Sequence, residues 1–150
     1  MYRRLEFACA VALLVAIVVL VAVASVSRAA GSPIIWSVEI AQLLFVWLCM
    51  LAADLALQDG RHFRLMALLD GLSPNRRRVL EGLNMVVVIA LLAFLWVYAW
   101  RNMVLMHPRL IGATQMHGSL IHASMVVGLV LLLRTAVAQL YRHVRARGGD

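Results

Sequence analysis

The chain contains no lysine, and its seven acidic residues are thinly spread over 150 positions. Charged side chains of every kind make up 14% and apolar ones 64%. Soluble globular chains run at about 25% charged and about 45–50% apolar, so a water-soluble domain is excluded. Cysteine is scarce too, with Cys9 and Cys49 each inside an apolar run. No CxxC or His-rich spacing offers a metal site or haem attachment. Two thiols in separate spans are expected to be buried apolar fillers. Nucleophilic triads, phosphate-binding glycine loops, internal repeats and low-complexity tracts are missing as well, so neither enzyme chemistry nor a cofactor is expected.

What the chain does have is long uncharged runs. They cover 7–25, 40–53 (extended by Trp36 before and Leu57 after), 82–100 and 110–133, the last spanning from about Ser119 onward. A membrane-crossing helix needs about 20 such residues. The expected fold is therefore an all-α membrane protein, one domain over 1–150, with transmembrane helices at about 5–27, 36–57, 76–101 and 118–141. The turn Gly31-Ser32-Pro33 makes the first two an antiparallel hairpin. Within the first, Ala8, Ala12 and Ala16 could allow close helix approach, although alanine is common here. Ser73-Pro74 reads as N-cap and first residue of helix 3. Between spans 2 and 3, Leu65, Leu68, Leu69 and Leu72 recur at helical spacing. Too short to span and flanked by basic residues, segment 62–72 is expected to lie in the interface as a short amphipathic helix. Trp96, Tyr98, Trp100 and Arg101 form an aromatic belt closing helix 3.

The net charge of +7 invites a nucleic-acid reading, but position decides against it. If the spans alternate, one side of the membrane holds Arg3, Arg4, Arg61, Arg64, Arg76, Arg77, Arg78, Arg134, Arg142, Arg145 and Arg147. The other holds Arg28, Arg101 and Arg109. Such asymmetry predicts that both termini and the central loop face the cytoplasm, with Arg134 snorkelling to that surface. No nucleic-acid partner is implied. The first apolar run is too long for the h-region of a signal peptide, about 7–15 residues.

A self-sufficient carrier needs an ionisable group near the bilayer centre. Glu39 and Asp54 lie fifteen residues apart on helix 2, roughly 22 Å at about 1.5 Å per residue. They belong to opposite membrane faces and cannot form one site. Each is expected to pair with an arginine or a backbone donor, or to meet another protein. At about 100° per residue, Trp36, Trp47 and Asp54 align within about 20°, with Glu39 about 60° away. A tryptophan halfway down a helix faces lipid, the bundle, or a larger partner subunit to which aromatic anchors would bind. Two other readings remain: a homodimeric proton-coupled exporter, and a haem-binding anchor of a redox complex. The first suffers from the depth of the carboxylates. The second suffers from His62, His107, His117, His122 and His143, which offer no pair at similar depth on facing helices.

Trp36-Ser37-Val38-Glu39, Phe45-Val46-Trp47, and Gly60-Arg61-His62 followed by an apolar run to Leu72-Ser73-Pro74 together resemble the small membrane subunit (DctQ-like) of tripartite ATP-independent periplasmic (TRAP) transporters. The length and four-span plan agree. Three positions depart from the family pattern: Gln42 where a basic residue is common, Ala52-Ala53-Asp54 where glycine is common, and Met66 where an acid is common. No ionic contact is carried over to them. The resemblance implies a division of labour. A periplasmic binding protein captures an organic acid, a large membrane subunit moves it inward with sodium, and the small subunit supports the large one and helps dock the binding protein. Trp36, Glu39, Trp47, Asp54, Arg61 and His62 are then candidates for the subunit interface. Arg28, Arg101 and Arg109 are candidates for binding-protein contact.

Overall fold

The computed structural model describes residues 2–59, 74–112 and 114–145. They form α1 (Tyr2–Ala29), α2 (Trp36–Gln58), α3 (Pro74–Met106), a hairpin of β1 (Leu110–Ile111) and β2 (Met116–His117), and α4 (Ser119–Arg145). All four helices are long and apolar enough to cross a membrane. The interfacial helix expected over 62–72, like Arg61 and His62, lies outside the described residues.

Local chemistry accounts for the ends. α1 stops at the Gly31-Ser32-Pro33 turn, where the Ser32 N–H reaches back to the Ser27 carbonyl. In the first turn of α2, Ser37 is buried and its hydroxyl donates to the Ile34 carbonyl. α3 begins at Pro74, whose missing N–H costs nothing at a first helical position. It continues past Arg101 to Met106, stopping just before Pro108. The stretch expected to connect the third and fourth spans, from about residue 102 to 117, therefore holds one more helical turn. It also holds the antiparallel β1–β2 ladder, in register Leu110 to His117 and Ile111 to Met116.

The packing order across the bundle is α1, α2, α4, α3. α1 shields Glu6, Ala10, Leu13, Ile17, Leu20, Ala24 and Ser27, alternating steps of four and three that mark one seam against a neighbouring helix. That neighbour is α2, running antiparallel. Ala8, Ala12 and Ala16 lie on the exposed side instead. α2 and α4 run parallel: Met50 lies beside Gly128, Asp54 bonds Thr135, and Gln139 bonds the Leu57 carbonyl. A Cβ on Gly128 would fall inside the Met50 side chain, so glycine sets the approach of these two helices. α3 packs antiparallel on the other side of α4 around Ala99, Val126 and Leu129, joined by Met50, Leu92 and Trp96.

α4 is thus the central helix, with a third of its apolar window buried against 6–11% for the others. Its small and hydroxyl residues Ser124, Gly128, Thr135 and Ala136 are all buried, and such residues let backbones approach closely in a bilayer. The remaining helix surfaces are apolar and exposed, as lipid contact requires. Cys9 and Cys49, expected as buried fillers, are exposed. Cys9 falls just beside the seam row of α1, so its thiol faces outward.

Candidate functional site

Two polar clusters tie the helices together, one at each end of the bundle. At the end bearing both termini, the amide nitrogen of Gln58 on α2 donates to two carboxylates, Glu6 on α1 and Asp54 one turn earlier on α2. The other oxygen of Glu6 accepts from the Arg134 guanidinium of α4 at 2.7 Å. The other oxygen of Asp54 accepts from the Thr135 hydroxyl at 2.7 Å. Gln139, one turn further along α4, caps the Leu57 carbonyl at 2.6 Å. Toward the surface, Arg3 pairs with Asp59. Three helices thereby share one chain of hydrogen bonds.

Burial fixes the character of this cluster. Asp54 is 1% exposed and Glu6 is 7% exposed. A buried carboxylate is costly unless hydrogen-bonded on both oxygens, and here each oxygen named above has a donor. Interhelical polar contacts in a bilayer contribute about 0.6–2 kcal/mol each. The cluster works as a lock among α1, α2 and α4.

At the opposite end, Glu39 in the first turn of α2 accepts from both the backbone N–H and the hydroxyl of Thr114, at 3.0 and 2.6 Å. Gly112 sits under this carboxylate with φ +64°, and any Cβ there would overlap Glu39. Only glycine combines that conformation with that proximity. The β1–β2 connection is thus latched onto α2. Beside it, Gly118 donates to the Arg109 carbonyl, and the rings of His107 and His117 stack with centroids 4.9 Å apart. Lower on the same side, Asn102 of α3 contacts His122 of α4.

The sequence-derived candidates divide accordingly. Glu39 finds the backbone donor expected of it, and a hydroxyl in addition. Asp54 meets neither an arginine nor a backbone donor, because Arg134 is engaged by Glu6 and the adjacent Thr135 points at α2 instead. Trp36 is exposed at the start of α2, and Trp47 is half-buried on the helix face that carries Asp54 toward α4. Arg28, Arg101 and Arg109 are exposed at or near the hairpin end.

Participants that had gone unnoticed in the sequence include Glu6, Gln58, Thr114, Thr135 and Gln139. Glu6 had a usable signal, a carboxylate occupying a seam position in an otherwise apolar helix. The threonines had none, since each is recognised only through a partner 75 or 81 residues away. Arg134 was expected to snorkel; it is part-exposed and also grips Glu6. Among the described residues, no group of three His, Cys, Asp or Glu side chains could hold a metal ion.

Residues 7–146 match the family of tripartite ATP-independent periplasmic transporters, DctQ component. No curated protein matches the chain. The match covers nearly the whole chain, and the chain belongs to this family: it is a small membrane subunit of a TRAP transporter.

Proposed function

We propose that this DctQ-family chain is the accessory subunit of a sodium-coupled TRAP importer for organic acids captured by a periplasmic binding protein. It supports the large transport subunit in the bacterial inner membrane and contributes to docking of the binding protein. Both termini face the cytoplasm in this reading, with the β1–β2 hairpin on the periplasmic side. Trp36, Glu39, Trp47, Asp54, Arg61 and His62 are proposed for the subunit interface, and Arg28, Arg101 and Arg109 for binding-protein contact.

The observation that carries the reading, beyond family membership, is where the membrane carboxylates spend their hydrogen-bonding capacity. Glu6, Asp54 and Glu39 are engaged within the bundle at its two ends, and the α2 segment between Glu39 and Asp54 has no ionisable residue except Cys49. This supports a fixed scaffold better than a carrier, whose central acid must be free to exchange a proton or cation. The test is affinity purification of the full chain from its native membrane. Recovery with a much larger membrane protein in constant ratio is the expected result. A stable homodimer that binds an organic acid unaided would overturn the proposal.

A further inference from the structure

The α1–α2 hairpin has an open side that neither α3 nor α4 lines. Two grooves lie along it and share no lining residue. One, of about 550 Å³, runs from Ile17 to Arg28 on α1 and faces Val38, Ala41 and Phe45 on α2. The other, of about 800 Å³, runs from Arg3 and Arg4 to Leu14 and faces Leu48, Ala52 and Ala56. Each extends over twelve residues of α1, roughly 16–17 Å at about 1.5 Å per residue. That is half of the roughly 30 Å hydrocarbon core, the depth of one leaflet.

Both grooves are apolar along their length and cationic at their outer mouths. Among the described residues, Arg28 is the one charged residue lining the first. In the second, Arg3 is neutralised by Asp59, which leaves Arg4. Among the described residues neither Arg4 nor Arg28 forms an ion pair, and both are exposed. Guanidinium is the side chain best matched to a phosphate, through paired N–H donors. Two leaflet-deep grooves that meet at mid-membrane, each with a cation at headgroup level, fit two acyl chains entering from opposite sides.

We propose that the α1–α2 hairpin binds one phospholipid in each leaflet, its acyl chain in the groove and its phosphate on Arg4 or Arg28. The test is native mass spectrometry of the full-length chain in detergent, titrated with dimyristoyl phosphatidylglycerol and, in parallel, with dimyristoyl glycerol, which lacks the phosphate. Two phosphatidylglycerol molecules should bind per chain and the phosphate-free lipid should bind poorly. Arg4→Gln and Arg28→Gln should each remove one site, weakening it about tenfold, and so should Ala52→Phe by filling the larger groove. Circular dichroism checks that each variant keeps its helices, and the two arginine variants alter only exposed side chains. Equal binding of the two lipids, or unchanged stoichiometry in both arginine variants, would overturn the proposal. So would disulfide capture of another protein chain by an Ala41→Cys variant in native membranes.

Discussion

Thr135→Val is the sharpest probe of the lock between α2 and α4. Valine keeps the branched shape and nearly the volume of threonine but deletes the hydroxyl that donates to Asp54 at 2.7 Å. Asp54, 1% exposed, then retains Gln58 on its other oxygen and loses the donor on the first. Hydrogen bonds to charged groups are worth about 1.5–3 kcal/mol in soluble proteins, and interhelical polar contacts in bilayers about 0.6–2 kcal/mol. The overlap of these ranges predicts a loss of about 1.5–2 kcal/mol, roughly ten- to thirtyfold in the unfolding equilibrium. Thr135→Ser keeps the hydroxyl and should fall within about 0.5 kcal/mol of the parent once a small methyl cavity is allowed for. The assay is reversible unfolding of the full chain in mixed micelles, followed by far-ultraviolet circular dichroism. If valine and serine behave alike, the Asp54–Thr135 bond contributes nothing and the lock is misassigned. If valine leaves stability intact yet abolishes substrate uptake by the assembled transporter, Asp54 belongs to the transport path and the scaffold reading fails with it.

Three further predictions concern the same contacts. Gly112→Ala forces a Cβ into the Glu39 carboxylate and into a left-handed backbone. It should cost at least about 1 kcal/mol, and limited proteolysis should cut faster between His107 and Gly118. Gly128→Leu pushes α2 and α4 apart at Met50 and should destabilise by about 1–3 kcal/mol, with partial recovery when Met50→Ala is added, read by the same unfolding assay. Glu6→Gln and Arg134→Gln should cost less together than the sum of the two alone, because both remove the same Glu6–Arg134 contact. Arg134 is 45% exposed, so solvent screening holds the coupling to about 1 kcal/mol, measurable in a double-mutant cycle.

The sequence made the four helices legible because their apolar runs are long and uncharged, and the bilayer permits such runs only one conformation. The ends were less legible. Trp96 to Arg101 has the composition of an interfacial belt, yet nothing from Asn102 to Met106 breaks a helix, so α3 continues until Pro108 approaches. Beyond the α1–α2 hairpin, the order of packing could not be read. In water an amphipathic stripe tells the inside of a helix from its outside. In lipid both sides are apolar, and the seam of α1 differs from its outer face only in Glu6 and in the rhythm of its shielded residues. The Asp54 partner was missed for the same reason: a threonine on the fourth helix looks the same whether it faces lipid or a carboxylate.

The two polar clusters also bear on what the bundle can do mechanically. Glu39 and Asp54 stand about 22 Å apart on one helix, and each bonds a segment distant in sequence, the β1–β2 connection for Glu39 and α4 for Asp54. α2 is therefore held at both ends and packed at Gly128 in between. A hydrogen bond in a low-dielectric interior is expensive to leave unmade, as at the buried Asp54, and sliding α2 along α4 would strain the contacts at both ends at once. A helix pair fastened in this way resists the relative shear that alternating access demands of a carrier. It suits the part of a transporter that stays still while its partner moves.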